Sequence, residues 1–194
     1  MSEYGLEGRH KLSRKSMDCK DINLWHSANG TATEEEVAEL IAGFVRALQP
    51  ELVVETGAYR GFTTEMIGQA LQKNGHGKIV AIEYDLRQFR IMRKRCRGLP
   101  VEPVYSSSLD WVPPESWVTP IEFAFFDTNY PTRQSEFDHF RPYMTKYTII
   151  CWHDSGWHFE NPIREHIEEL AKLGSIQPLF LPTPRGICFA RVLK

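Results

Sequence analysis

The stretch at residues 52–64, LVVETGAYRGFTT, decides the fold of this chain. Its apolar, partly β-branched start at residues 52–54 predicts a buried parallel strand. Gly57 and Gly61 then turn the chain, and a helical pattern begins at Thr63. A strand, a glycine-containing turn and a helix start form a binding corner of the nucleotide type. Glycines let the backbone approach a ligand closely, and a helix N-terminus offers free N–H groups.

The glycine spacing in this corner differs from that of a dinucleotide site. A dinucleotide fingerprint requires G-x-G-x-x-G, but the second and third glycine positions counted from Gly57 hold Tyr59 and Phe62. Glu55 stands at the end of the strand, where its carboxylate would repel a phosphate and attract an ammonium group. S-adenosylmethionine (SAM) carries an ammonium group and no phosphate, so we expect SAM to fit this corner better than a dinucleotide.

The segment at residues 55–64, ETGAYRGFTT, resembles the first motif of the class I (Rossmann-like) SAM-dependent methyltransferases. It is most similar to a small O-methyltransferase-like group whose motif is roughly E-x-G-x-x-x-G-x-[ST]-[ST]. The resemblance extends over residues 33–194 through the order of the predicted elements. It implies a SAM-dependent methyltransferase that acts on the hydroxyl of a small-molecule acceptor. The alternative is a structural strand, turn and helix with incidental glycines.

Helical and strand patterns alternate through the rest of the chain. A T-x-x-E capping box at residues 33–36 predicts the start of a helix that Pro50 closes. The last two strands are joined by residues 182–186, a connection short enough only for an antiparallel hairpin. We therefore expect an α/β fold, with an open, mostly parallel, seven-stranded Rossmann-like sheet, helices on both faces and an antiparallel C-terminal hairpin. The further predicted helices cover residues 63–73, 86–96, 133–144 and 162–173, and the further predicted strands cover 78–84, 101–105, 121–126, 148–152, 176–181 and 187–192.

Length and composition favour one cytoplasmic domain. The 194 residues suit a single core, and the net charge of −2 argues against general nucleic-acid binding. No C-x-x-C spacing is present, so we expect reduced thiols rather than disulfides or a zinc site. Neither a membrane span nor a secretory signal is expected. The cysteines are Cys19, Cys96, Cys151 and Cys188.

The N-terminal residues 1–32 are polar and weakly periodic, and we expect a leader or lid before the methyltransferase domain at residues 33–194. Trp25 and His26, an aromatic beside an imidazole, favour a lid over the substrate site or an arm of a homodimer. The alternative is a partly disordered leader. A run of basic residues on the predicted helix 86–96 indicates a solvated face, with RNA or an acidic partner as the alternative.

Ligands of open parallel sheets bind outside the carboxyl ends of the strands. Glu83 ends the second strand, where a carboxylate is expected to accept both hydroxyls of a ribose; an exposed strand-end Glu is the alternative. Ser107 stands where the family more often has an Asp that contacts adenine. The full set of SAM-binding candidates is Glu55, Gly57, Tyr59, Gly61, Thr63, Glu83, Ser107, Ser108 and Asp127.

The ends of the fourth and fifth strands carry Asp127, His153 and Asp154. Resemblance to the metal-dependent O-methyltransferases implies that these three catalytic candidates hold a divalent ion, which would bind the substrate hydroxyl and lower its pKa. His153 replaces a more usual oxygen ligand, and imidazole suits transition metals better than Mg²⁺. Two alternatives stay open: His153 acts as a general base, or the pair caps a turn and binds no metal.

Other functions and acceptor groups also stay open. A non-catalytic SAM-binding or regulatory module would gain support if Asp127 or His153 pointed into the core, and an NAD-dependent oxidoreductase is the less favoured alternative. Residues 127–130, DTNY, lack both prolines of the D-P-P-Y motif of amino-methylating enzymes. Candidates for an aromatic acceptor pocket are Tyr130, Trp152, Trp157 and His158, and candidates for holding an acidic substrate are Lys146 and Arg185.

Overall fold

The computed structural model describes residues 17–27, 32–114, 117–157 and 163–193. Strands and helices alternate along most of these ranges, as the sequence patterns predict. A 3-10 helix at Ile22–Leu24 comes first. The elements that follow are α1 (Glu35–Leu48), β1 (Leu52–Thr56), α2 (Phe62–Asn74), β2 (Lys78–Glu83), α3 (Leu86–Arg95), β3 (Val101–Tyr105), β4 (Ile121–Phe126), α4 (Thr132–Phe140), β5 (Met144–His153), α5 (Ile163–Lys172), β6 (Ile176–Leu181) and β7 (Ile187–Val192).

The seven strands form one sheet in the order β3-β2-β1-β4-β5-β7-β6. The first five strands pair in parallel, whereas β7 runs antiparallel to both β5 and β6. The reversed strand follows from the short connection before it, because a parallel pairing needs a crossover of a dozen residues or more. The predicted fold class, including the C-terminal hairpin, is therefore confirmed.

The central strands are buried on both faces, which explains their nearly continuous apolar sequences. Val53 and Phe123 pack on one face with residues of α1 and α2. Their neighbours Val54 and Ala124 point to the opposite face and pack with residues of α4 and α5. This alternation has the two-residue period of a strand. Helices therefore cover both faces. Within the described ranges, no helix is both long and apolar enough to cross a membrane.

Two local predictions are wrong. The capping box does not form, because α1 begins at Glu35 and Glu34 makes no side-chain capping hydrogen bond. Thr33 instead donates from Oγ1 to a carboxylate oxygen of Asp127 at 3.1 Å. The predicted helix 133–144 ends early, at Phe140. Pro142 follows within a short 3-10 turn, where its missing N–H and its ring do not continue an α-helix.

Candidate functional site

A cavity of about 510 Å³ opens at the carboxyl ends of the parallel strands. The chain leaves β1 toward β2 on one side and reaches β4 on the other, so β1 and β4 border the topological switch point, where ligands of such sheets bind. Glu83 after β2 and Asp154 after β5 both line the cavity. Three strand spacings separate these strands, or about 14 Å. The cavity is thus long enough for an extended cofactor with room for an acceptor at one end.

The two glycines of the corner lie where the chain closely approaches neighbouring elements. Gly57 has a φ of +72°, and a Cβ atom there would lie 2.5 Å from the carbonyl oxygen of Asp127. Its N–H donates to the carbonyl of Ile82 at 3.0 Å. Gly61, with a φ of +76°, precedes α2, and a Cβ there would meet Cγ of Met92 at 2.8 Å. Gly57 lines the cavity as predicted, whereas Gly61 does not, since its place is in the packing against α3.

The carboxylate of Glu83 is fixed by two backbone donors. The N–H of Tyr59 donates to Oε2 and the N–H of Asp85 donates to Oε1, both at 2.7 Å. Burial raises the pKa of Glu83, and these two N–H groups oppose that rise. Glu83 is 5% exposed, so the alternative of an exposed strand-end residue is wrong. Because a carboxylate offers about four acceptor directions, it still has capacity for a ribose diol.

Within the described part of the chain, Glu55 has a buried carboxyl oxygen without a hydrogen-bond partner in the cavity wall. The side chain is 2% exposed, and Oε2 has no hydrogen-bond partner among the described residues. Burial, together with the carboxylates of Asp127 and Glu83, raises the pKa of Glu55 to about 8, against the opposing effect of the Thr64 hydroxyl. Buried polar atoms of native proteins normally have partners. A buried carboxyl with one such oxygen, in a cavity wall, is a site for a cationic ligand group.

Most of the predicted cofactor residues line the cavity. Beyond those described above, they are Tyr59, Thr63, Ser107, Ser108 and Asp127. The cavity wall also contains residues that the sequence did not indicate. The unpredicted lining residues are Ala32, Thr33, Ala58, Phe62, Ile82, Tyr84, Asp85, Gln88, Ser106, Thr128, Asn129, Thr132 and Arg133.

At the ends of β4 and β5, the structure brings Asp127, His153 and Asp154 together. One ligand atom from each lies within 4.8 Å of the others, so the three residues form the cluster on which the metal prediction depends. His153, however, is fully buried and does not line the cavity. Its Nδ1 lies 3.1 Å from Oδ1 of Asp127 and its Nε2 lies 2.6 Å from Oε2 of Glu34.

This position changes the role that His153 can take. Burial by itself would lower its pKa, but the carboxylates of Asp127, Glu34 and Asp154 raise the pKa of His153 to about 10, against the opposing charge of Arg185. An imidazolium behind the cavity wall cannot take a proton from a bound substrate. The general-base prediction for His153 therefore does not fit this geometry. Its burial is also the observation that would favour a non-catalytic module.

Two arginines complete this cluster. Arg133 donates from Nη1 to the carbonyl of His153 at 2.6 Å and from Nη2 to Oδ1 of Asp127 at 3.2 Å. Arg185 forms a bidentate ion pair with Asp154, in which Nε donates to Oδ1 at 2.6 Å and Nη2 donates to Oδ2 at 3.0 Å. The backbone N–H of Arg185 also donates to Oε1 of Glu34 at 3.2 Å. Despite burial, the pKa of Asp154 is lowered by the neighbouring positive charges of His153, Arg185 and Arg133.

Most of the residues predicted to bind the methyl acceptor do not line the cavity. Trp152 is fully buried in the core, and the hydroxyl of Tyr130 donates to Gln134 rather than facing the cavity. Trp157 lies against the guanidinium of Arg164. Lys146 stands near the start of β5 and does not line the cavity. His158 lies outside the described residues. Of the two groups predicted to hold an acidic substrate, only Arg185 reaches the cavity, where it is bound to Asp154.

The end of the N-terminal segment contributes to the site. Ala32 and Thr33 line the cavity, and Ala32 accepts a hydrogen bond from Nη1 of Arg185 at 3.2 Å. Trp25 packs against the core under α1, and Nδ1 of His26 lies 2.7 Å from a carboxylate oxygen of Glu36. Trp25 and His26 are thus anchored to the body of the protein. Residues 1–16 and 28–31 lie outside the described ranges.

The strand order, the reversed seventh strand and a cavity with acidic residues at the ends of β1 and β2 define the Rossmann-like methyltransferase class. Residues 54–155 match the family model described as a methyltransferase domain, which is more than half of the chain. The chain therefore belongs to the methyltransferase domain family, and the class predicted from its sequence, a SAM-dependent methyltransferase, is confirmed. No curated protein matches the sequence.

Solved structures show the same fold at low sequence identity. The O-methyltransferase TomG from Streptomyces achromogenes, in complex with SAM, is 18% identical with a TM-score of 0.73, over 85% of this chain and 83% of that one. The O-methyltransferase from Bacillus cereus, in complex with SAH, is 17% identical with a TM-score of 0.73, over 84% of each chain. A putative caffeoyl-CoA O-methyltransferase from Staphylococcus aureus is 13% identical with a TM-score of 0.67, over 82% and 84%.

Proposed function

We propose that this methyltransferase binds SAM in the 510 Å³ cavity and transfers its methyl group to a hydroxyl oxygen of a small molecule. The observation that carries the proposal is the buried carboxyl of Glu55, whose Oε2 has no partner among the described residues. The amino-acid portion of SAM supplies an ammonium group for that carboxyl. Glu83, held by the N–H groups of Tyr59 and Asp85, is then placed to accept the ribose hydroxyls.

The opposite end of the cavity is the proposed acceptor site. Its wall consists of Thr33, Asp127, Asp154 and Arg185. A methyl transfer needs the acceptor oxygen, the methyl carbon and the sulfur in line, and a rigid wall supplies this alignment. Proximity and orientation of this kind account for a large part of a rate enhancement. Asp127, which lines the cavity between the two ends, is the candidate residue for contact with both ligands.

Two considerations favour oxygen as the methyl acceptor. Structural neighbours crystallised with SAM or SAH are described as O-methyltransferases. The sequence after β4 is DTNY, without the prolines with which amino-methylating enzymes orient an amine.

We also infer a cytoplasmic protein, since Cys19, Cys96, Cys151 and Cys188 are all free and buried. A cell fractionation that recovered the protein only from an oxidising compartment would contradict the cytoplasmic assignment.

Calorimetry with SAM and with NAD tests the cofactor. We expect saturable SAM binding by the wild type, no NAD binding, and loss of SAM binding in Glu83→Ala. The matched control is Glu102→Ala, because Glu102 is exposed on the adjacent strand and pairs with Lys78 at 2.7 Å, away from the cavity. Tight NAD binding without a response to SAM would contradict the proposal.

A screen of hydroxyl-bearing small molecules with methyl-labelled SAM tests the reaction. Label is expected to appear in an ether or ester methyl group of the product. Label that appears only on nitrogen acceptors would contradict the oxygen assignment. SAM binding without transfer to any acceptor class would instead favour the regulatory module.

A further inference from the structure

We propose that the cluster of Asp127, His153 and Asp154 does not bind a divalent metal ion, because the guanidinium groups of Arg133 and Arg185 already pair with its carboxylates. The carboxylates and the imidazole have the spacing of a ligand set, with one atom from each within 4.8 Å of the others. Whether they fit an ion depends on which lone pairs remain available. The hydrogen bonds around each residue answer that question.

His153 has no lone pair to offer. Both ring nitrogens lie at hydrogen-bond distance from carboxylate oxygens, 3.1 Å to Asp127 and 2.6 Å to Glu34. Ionised carboxylates only accept hydrogen bonds, so both nitrogens must donate. A metal-bound imidazole has to present a bare nitrogen. Freeing Nε2 would break the contact with Glu34, in which both side chains are fully buried, and freeing Nδ1 would break the contact with Asp127.

The two aspartates are held in the same way. Both oxygens of Asp154 accept hydrogen bonds from Arg185. Oδ2 also accepts a hydrogen bond from Nη2 of Arg133, at 3.3 Å. This two-pronged pairing is the strong geometry for a guanidinium and a carboxylate. Oδ1 of Asp127 accepts from Arg133 and contacts His153, while Oδ2 accepts from Thr33 at 3.1 Å. Each of these oxygens already accepts a hydrogen bond, but a carboxylate has about four acceptor directions, so the exclusion of an ion rests on His153 and on the neighbouring positive charges.

Charge leads to the same conclusion. The three carboxylates of Asp127, Asp154 and Glu34 face the three cations of Arg133, Arg185 and His153, so the described cluster is neutral as it stands. A divalent ion would add two positive charges next to guanidinium groups that cannot lose their protons. This repulsion is large in a poorly hydrated wall. It applies to Mg²⁺ and to transition metals alike, and thus removes the alternative of a changed metal at His153.

The consequence for the reaction rests on the proposed function. Without an ion to bind two neighbouring oxygens, the acceptor site has no requirement for a vicinal diol. A single hydroxyl that fits the wall of Thr33, Asp127 and Arg185 is sufficient. We therefore expect methyl acceptors with one hydroxyl to react as well as catechol-like pairs of hydroxyls.

Metal binding is measured directly, without reference to activity. The purified protein is dialysed against EDTA and then titrated with Mg²⁺, Mn²⁺, Co²⁺ and Zn²⁺ by calorimetry, with electron paramagnetic resonance for Mn²⁺ and visible absorption for Co²⁺. We expect no saturable one-to-one binding up to millimolar ion. One equivalent bound at micromolar concentration by the wild type, and lost in Asp127→Asn, would overturn the proposal.

The variant Arg185→Met tests why the ion is excluded. Removing this guanidinium takes away the donors that Arg185 gives to both oxygens of Asp154, so we expect saturable Mn²⁺ binding at least tenfold tighter than the millimolar limit of the wild type. Arg191→Met is the matched control, since Arg191 is exposed on β7 and its Nε donates to the carbonyl of Lys146 at 3.3 Å; its Mn²⁺ affinity should equal that of the wild type. An Arg185→Met protein that is folded by circular dichroism and gains no affinity would overturn the role of Arg185. SAM calorimetry on the same samples separates either result from a failure of the proposed function.

Discussion

Replacing Glu55 by Gln tests the proposed cofactor end through protein stability. The pKa of Glu55 is raised from 4.5 to about 8 in the folded protein, chiefly by burial and also by the neighbouring carboxylates, against the opposing effect of the Thr64 hydroxyl. Between these two values the folded chain holds a proton that the unfolded chain has lost. Stability must therefore fall as the pH rises through this window. At about 1.4 kcal/mol per pKa unit, the loss is on the order of 3 kcal/mol at pH 7.

The Gln side chain is nearly the same shape as a protonated Glu and cannot ionise. We therefore expect Glu55→Gln to be more stable than the wild type by on the order of 3 kcal/mol at pH 7, and to equal it near pH 4.5. For a chain of this length the gain corresponds to a Tm higher by about 6 to 12 °C. The measurement is thermal and urea unfolding of the ligand-free proteins at several pH values from 4.5 to 8. Glu102→Gln is the control, because Glu102 is exposed and pairs with Lys78.

The same substitution should impair the proposed function. The neutral amide offers no charge to the ammonium of SAM, so the SAM affinity of Glu55→Gln is expected to fall at least tenfold. For the wild type, affinity should rise by up to about tenfold from pH 6 to pH 7 as Glu55 more readily loses its proton. Calorimetry at each pH measures both effects. A stability difference that does not change with pH, or a Gln variant that binds SAM like the wild type, would refute this reasoning.

Two further substitutions test the architecture. Gly57→Ala places a Cβ 2.5 Å from the carbonyl oxygen of Asp127 at a φ of +72°, so we expect urea unfolding to show a loss of stability above about 2 kcal/mol. The control is Gly43→Ala, which has open space within α1 and should be neutral or stabilising. Equal effects of the two substitutions would contradict the close approach. Glu34→Ala removes the buried one of the two carboxylate partners of His153 and should cost about 3 kcal/mol at pH 7, whereas the exposed Glu39→Ala should cost less than about 1 kcal/mol. A similar small loss in both variants would count against the buried pair.

The fold and the cofactor end of the site could be predicted because local patterns determine them. Buried parallel strands have nearly continuous apolar sequences, so β1 and β4 are visible without any knowledge of their neighbours. A residue at the end of such a strand then lies at the ligand edge of the sheet. Glu55 and Glu83 are two such residues, and both line the cavity.

The charge network could not be predicted in the same way, because its partners are distant in sequence. Glu34 lies 119 residues from His153 and 151 residues from Arg185, yet contacts both. Locally, Glu34 stands inside an apparent capping box, and that local signal competes with the true contact. Arg185 carried a usable signal, because β7 pairs with β5 in a register that places His153 opposite Ile187. The turn before Ile187 must therefore lie beside the end of β5, where Asp154 follows.

Under the proposed function, the two ends of the cavity differ in charge balance. This difference determines which ligand each end attracts and favours release of the demethylated cofactor after the reaction. At the acceptor end, guanidinium and imidazolium groups neutralise the carboxylates of Asp127, Asp154 and Glu34. At the cofactor end, Glu55 and Glu83 have no arginine partner among the described residues. A cationic ligand is therefore attracted to the cofactor end and only a neutral one to the acceptor end. Methyl transfer removes the positive charge from the sulfur of SAM, so the same carboxylates that attract the cofactor hold its product less strongly.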